Sequence, residues 1–322
     1  MQIQEDLVNA VVLKQLIDAY QKKCLAQAYL FIGAEHAGKT QTAFALAKTL
    51  NCGQFIAQMT PTYCDQCPSC MKINSGNHPD IHVTDSAYGE TIKIEEIRQL
   101  LEQIRFRPFM AEKKVFILRR SENLTAEAAN AFLKTLEEPS LNSLLILTTS
   151  QIDRNLDTVR SRCQKIHFLP FPRRELAEQL IQHYHKDPLS AQCLSFFSKG
   201  FLGGFQKLEK NNFFERKNEL LDGFILARDI DGFMKEILEE KESTKEFLDV
   251  FISWIRDSIL LKLEADEEMI IHIDRLTDLR KFSQKYTFEQ LNNIYEEVIH
   301  MYKQLAENLN LKLPLLMIKE KL

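Results

Sequence analysis

Gly33-Ala34-Glu35-His36-Ala37-Gly38-Lys39-Thr40 fits the G-x-x-x-x-G-K-S/T pattern at every fixed position. A loop of this kind does phosphate chemistry. Its backbone N–H groups and the following helix N-terminus cradle phosphate oxygens, Lys39 can reach between them, and the Thr40 hydroxyl can ligate Mg²⁺. Turnover of a bound nucleotide also needs a carboxylate at the end of a second apolar strand, to hold the metal. The apolar run Lys114-Val115-Phe116-Ile117-Leu118 leads instead into Arg119-Arg120-Ser121-Glu122. Two cations stand where Asp-Glu is expected. Gly33, Gly38, Lys39 and Thr40 are therefore candidates for holding ATP with Mg²⁺, in a chain poorly equipped to hydrolyse it.

The second chemistry belongs to thiolates. Cys64, Cys67 and Cys70 follow a C-x₂-C-x₂-C spacing, and Cys52 precedes them by eleven intervening residues. Four thiolates suit tetrahedral Zn²⁺, and a closed four-ligand site is structural rather than catalytic. His78 and His82 could substitute as ligands but read as loop and strand residues. Cys24, Cys163 and Cys193 stand apart and read as packing residues.

Two shorter features carry charge. Residues 130–139, ending in Leu136-Glu137-Glu138-Pro139, read as a helix that Pro139 stops. Acids at a helix C-terminus oppose its dipole, so Glu137 and Glu138 are expected to face something basic. Arg160-Ser161-Arg162-Cys163 offers permanently charged guanidinium groups that match phosphate geometry. Taken alone, that tripeptide reads as a basic surface turn.

These residues need a scaffold. A length of 322 residues suggests two or three domains. Apolar content is 45%, charged content 27% and net charge −4, so no global field draws the chain to nucleic acid. No run of 18 apolar residues is present to span a membrane. The opening Met1-Gln2-Ile3-Gln4-Glu5-Asp6 lacks a basic then apolar leader, and seven cysteines are too few for a disulfide scaffold. A cytoplasmic location is expected.

Up to residue 170, helical and strand patterns alternate. Helices are expected over about 7–22, 93–105 and 125–137, with strands over 27–32, 81–84, 114–118, 143–148 and 165–168. Apolar strands alternating with helices form a parallel sheet covered on both faces. Leu169-Pro170-Phe171-Pro172 is the clearest boundary. Residues 172–210 read as short helices with a glycine-rich turn at 200–204, and 211–322 as long amphipathic helices, for example over 247–255. Neither an internal repeat nor a low-complexity tract is found.

The phosphate loop, the four cysteines, His78-Pro79-Asp80, Leu133-Lys134-Thr135-Leu136-Glu137-Glu138-Pro139 and Ser161-Arg162-Cys163 occur in a fixed order. That order resembles the clamp-loader subunits of bacterial DNA polymerase III, within the AAA+ superfamily. The resemblance is specific over about 20–170; Glu307-Asn308-Leu309-Asn310-Leu311-Lys312-Leu313 looks like the last collar helix of that family. It implies an α/β P-loop NTPase (AAA+) domain with a parallel sheet over 1–170, carrying a zinc-binding insertion at about 52–70. A small helical lid over 171–210 and an all-α collar for oligomerisation over 211–322 would follow.

Some family members burn ATP as γ/τ motors. Another is a stator that does not hydrolyse ATP but lends an arginine to a neighbour's site. Three features favour the stator type: Arg119-Arg120, Gly204 where the lid's nucleotide-sensing arginine should fall, and the lack of a long tail beyond the collar. By the resemblance, Arg162 would be the arginine finger acting in trans, with Ser161 placing it and Cys163 packing behind. Arg160 stays open as the alternative finger. Lys134, Glu137 and Glu138 would lie near a subunit interface, and Thr148 or Thr149 at the first sensor position. Cys52, Cys64, Cys67 and Cys70 would bind the structural zinc. The implied partners are γ/τ and δ subunits, with the sliding clamp and primed DNA reached through the assembly, and no membrane.

Two other readings compete. An active AAA+ ATPase would need Glu122 or Asp85 to take the metal. A zinc-dependent nucleic-acid binder would need local cations, yet residues 52–70 contain no Lys or Arg.

Overall fold

The computed structural model describes residues 8–86, 90–138, 140, 142–226, 230–307 and 309–322. Residues 1–6, Pro139 as helix stop and Asn308 of the collar motif lie outside the described residues. The chain forms two compact units. One runs to Pro170 and includes Phe201–Gly204; the other holds Phe171–Gly200 and Phe205–Leu322.

The first unit contains, in order, α1 (Ala10–Gln21), β1 (Ala28–Ile32), α2 (Lys39–Asn51), α3 (Gly53–Ile56), α4 (Pro68–Asn74), β2 (Ile81–Thr84), α5 (Ile94–Arg105), β3 (Lys114–Leu118), α6 (Ala126–Glu137), β4 (Ser143–Thr149), α7 (Asp157–Arg160) and β5 (Gln164–His167). Among the described residues its strands form one parallel sheet in the order β2-β3-β4-β1-β5. Strands β1, β3 and β4 are buried at every position. That is why they read as continuous apolar runs rather than as alternating ones.

Register assembles the site. Ile32 pairs with Thr149 on one side and His167 on the other. The carboxyl ends of β1, β4 and β5 therefore open together, where open α/β sheets bind ligands. Below this edge the two faces pack separately. Phe31, Ile146, Leu16 and Leu46 share one core, and Leu30, Phe116, Ile97 and Phe132 the other. Helices α1 and α6 start on side-chain caps, which satisfy N–H groups that the first turn leaves open. Asn9 accepts from the Val12 N–H, and Thr125 from the Ala128 N–H.

The second unit is helical among the described residues: α8 (Arg173–Tyr184), α9 (Pro188–Phe197), α10 (Leu202–Lys210), α11 (Phe213–Leu221), α12 (Ile230–Glu239), α13 (Lys241–Lys262), α14 (Leu276–Lys285), α15 (Phe288–Ala306) and α16 (Lys312–Lys321). The first residues of α10 group with the sheet unit. Helix α13 is the spine, with Phe247, Phe251 and Trp254 buried along it. Its Asp257 is fully buried and accepts from the N–H groups of Ile271 and His272 at 2.7 and 2.9 Å. Arg173 and Gln192 donate to the Ile270 carbonyl, joining α8 and α9 to the same loop. The fold class expected from the sequence, a parallel-sheet P-loop domain followed by helices, is the one found.

Candidate nucleotide and metal sites

The loop between β1 and α2 bends through two left-handed residues, His36 at φ 63° and Gly38 at φ 79°. Gly38 caps α2 in a conformation that glycine adopts without a Cβ penalty. Gly33 is held just as closely: a Cβ there would lie 2.8 Å from the Phe168 carbonyl oxygen. Lys39 folds back onto the loop, donating from Nζ to the Gly33 and Ala34 carbonyls at 2.6 Å each. Burial pulls its pKa down to about 8, against the opposing charges of Glu122 and Glu35. Thr40 is half-buried in the first turn of α2. Phosphate oxygens would take over the bonds that Lys39 now makes to the loop carbonyls.

The acid side is rewired. Arg119 pairs with Asp85 at 2.7 Å. Arg120, left-handed at φ 51°, donates to the same carboxylate from Nε at 3.0 Å and from an Nη at 2.6 Å, and also bonds the Ser86 carbonyl. Two guanidinium groups thus neutralise Asp85. Glu122 accepts from the Ser150 N–H and hydroxyl at 3.1 and 2.7 Å. Its second oxygen is buried without a hydrogen-bond partner. Both acids of the competing ATPase reading are therefore placed, one paired with arginines and one bound to β4's end.

Thr148 and Thr149 are buried at the end of β4. The Thr149 hydroxyl accepts from the Asn155 amide at 2.8 Å, and the Ser121 hydroxyl donates to Asn155 Oδ1 at 2.8 Å. Asn155 and Ser121 lie 34 positions apart, and no local pattern marks either. The segment expected as a glycine-rich turn is helical from Leu202, where α10 begins, and its Gly203 packs against the loop. A Cβ on Gly203 would come 2.5 Å from the His36 carbonyl oxygen. Gly204, beside it, is half-buried.

The four cysteines converge. Their sulfurs all lie within 4.8 Å of one another, and those of Cys67 and Cys52 are 4.0 Å apart. A tetrahedron with metal–sulfur bonds of about 2.3 Å has an edge of about 3.8 Å, so the set fits Zn²⁺. Burial raises the Cys52 and Cys70 thiols. Burial pushes Cys67 upward too, but N–H groups of Cys70 and Gly53 outweigh it and bring the thiol down to about 7. Metal would supply the missing counter-charge. Cys163 and Cys193 are buried and Cys24 is exposed.

The cysteine segment is bolted to its surroundings. Lys48 of α2 pairs with Asp65 at 2.5 Å, and Asn74 donates to the same oxygen at 2.9 Å. His78 meets the Ser69 hydroxyl at 3.1 Å through Nε2, and its Nδ1 accepts from the Asp80 N–H. Asp80 accepts from the N–H groups of Phe109, Met110 and Ala111, and these bonds hold its pKa down despite burial. His82 stacks on Phe116, 4.9 Å between ring centres. Both histidines are structural residues here, outside the sulfur cluster.

The basic turn splits its arginines. Arg160 pairs with Asp157 and Asp153 on its own segment. Arg162 reaches α6, donating from Nε to Glu137 at 2.8 Å, and from an Nη to the Thr158 carbonyl at 2.9 Å. The expectation that the acids ending α6 face a cation holds for Glu137.

Comparison with known proteins places this geometry. The family described as DNA polymerase III, delta subunit, matches residues 8–172, and that of its C-terminal part matches 211–319. DNA polymerase III subunit delta' of Bacillus subtilis (strain 168) is 28% identical over 94% of this chain and 92% of that protein. DNA polymerase III subunit tau of the same organism is 34% identical over 51% of this chain but only 28% of its own length. The solved Bacillus subtilis DNA clamp loader delta protein is 14% identical, covering 96% of this chain and 99% of that one at a TM-score of 0.38. Phosphate loop, parallel sheet and helical C-terminal unit, with the two matched segments, agree: the chain belongs to the DNA polymerase III delta-subunit family.

Proposed function

We propose that this chain is the delta-prime-type stator of a DNA polymerase III clamp loader. It would assemble with γ/τ motors and a δ subunit into a machine that places a sliding clamp on primed DNA. Residues 171–210 would serve as lid and 211–322 as collar. The phosphate loop, through Gly33, Gly38, Lys39 and Thr40, would hold ATP without turning it over, and Arg162 would complete a neighbouring motor's site. The four cysteines would hold a structural Zn²⁺.

The observation that carries this reading is the pairing of Arg119 and Arg120 with Asp85. Metal-assisted phosphoryl transfer needs an acid near the β- and γ-phosphates. Here cations occupy the strand end, and they neutralise the adjacent carboxylate.

ATP turnover tests it, for the chain alone and then with γ/τ, δ, clamp and primed DNA. The expected result is background turnover alone and assembly activity that falls about a thousandfold at the affected site with Arg162→Ala, the lower end for an arginine finger. Robust turnover by the chain alone, abolished by Lys39→Ala, would make it a motor instead. The variant carrying Arg119→Asp and Arg120→Glu is expected to stay inactive alone, because Gly204 would stand where the lid's arginine is needed.

A further inference from the structure

Arg162 is held by a carboxylate of its own chain. Its Nε donates to Glu137 Oε1 at 2.8 Å and an Nη reaches the same oxygen, while the other Nη is fixed on the Thr158 carbonyl. Glu137 is the last residue of α6, 25 positions earlier. The helix dipole disfavours an acid there, so α6 gives Glu137 no electrostatic support; the arginine does. The pair is exposed, with 32% of the Arg162 side chain and 49% of the Glu137 side chain open to water. An exposed pair contributes little and exchanges readily. A terminal phosphate brings more negative charge and a second oxygen for bidentate bonding, so it competes successfully for the guanidinium.

We propose that Glu137 is a positioning residue that keeps Arg162 in cis until a neighbour's triphosphate takes it over. This rests on the reading of Arg162 as a finger acting in trans. An empty neighbouring site leaves the finger docked on Glu137, and a loaded one draws it across. The keeper thereby raises the ATP concentration needed to engage the finger, without touching the reacting atoms. Glu137 stands at the surface, so replacing it does not threaten the fold.

The test uses the full chain assembled with its γ/τ and δ partners, and ATP as the probe. Glu137→Gln keeps the shape and removes the charge. The expected result is a two- to fivefold fall, roughly, in half-saturating ATP with turnover at saturation unchanged, the range set by an exposed ion pair. Glu137→Asp should fall between wild type and Glu137→Gln. In an Arg162→Ala background, Glu137→Gln should have no effect. An unchanged KM in Glu137→Gln, or a loss of turnover, overturns the proposal even where Arg162→Ala abolishes activity. If Arg162→Ala leaves assembly turnover intact, the finger reading itself fails and takes the keeper with it. The chain alone gives a separate reading by NMR. The Arg162 Nε–H resonance should shift between the wild type and Glu137→Gln; an unchanged resonance removes the docked state.

Discussion

The ammonium of Lys48, buried in the helix that follows the phosphate loop, lies 2.5 Å from Asp65 in the cysteine segment. The same cation sits 4.4 Å from the centre of the Tyr63 ring. The cysteine segment is thus fastened to α2 by a charge that water does not reach. Asp65 is left-handed at φ 57°, a conformation asparagine tolerates, so Asp65→Asn removes the charge without adding strain. It should destabilise the chain by about 1–3 kcal/mol, below the cost of a fully buried pair because Asp65 is partly exposed. Urea unfolding checks it, and a midpoint equal to wild type would mean that the pair contributes nothing.

Metal should support the same segment. The purified chain is expected to carry one Zn²⁺, and Cys70→Ser to lose it. Stripping the metal with a chelator should lower Tm by about 5 °C, the shift that about 2 kcal/mol produces in a domain of this size. Metal analysis with calorimetry reads both. A chain that is metal-free as isolated and equally stable with added zinc would remove the zinc assignment.

Lys39 predicts a pH dependence for nucleotide binding. Its pKa of about 8 means that about nine-tenths of the chains carry the cation at pH 7 and about one-tenth at pH 9. The cation is the form that attracts phosphate. Affinity for a fluorescent ATP analogue should therefore fall up to about tenfold from pH 7 to 9, and the fall should vanish in Lys39→Ala. Stability runs the other way. A depressed lysine pKa contributes stability that is full above the unfolded value and lost as pH falls through about 8, so Lys39→Met should stabilise the chain at pH 7. Flat binding across this range would mean that phosphate does not meet Lys39.

Gly203 admits no side chain as the structure stands. Its Cβ would come 2.5 Å from a backbone oxygen of His36, which cannot swing aside as a flexible side chain would. Gly203→Ala should cost about 1–3 kcal/mol, the usual range for overpacking. Gly203→Arg should not create a nucleotide sensor; it should displace the first turn of α10 from the loop. Thermal unfolding with nucleotide titration tests both, and a stable Gly203→Ala chain would show that the turn moves freely.

Much of this protein was legible from local pattern. Strands β1, β3 and β4 announce themselves because both faces are buried, which forces continuous apolar runs. The phosphate loop and the cysteine spacing are legible because the loop's backbone donors, and three of the four thiols, lie within a few positions of one another. Glu137 was readable as an acid in the wrong place, since the dipole of α6 disfavours it.

Its partner was not readable, and there the sequence by itself stops. Arg162 meets Glu137, Arg120 meets Asp85, and Ser121 meets Asn155 across 25 to 35 positions. Nothing local encodes which cation closes on which acid. Strand order decides it: β2 beside β3 brings Asp85 to Arg120, β3 beside β4 brings Ser121 to Asn155, and Glu137 and Arg162 meet ahead of the amino ends of β4 and β5. The residue types set which chemistry was available. The tertiary structure decided which charges were already spent, because ion pairs depend on distance in space and not along the chain.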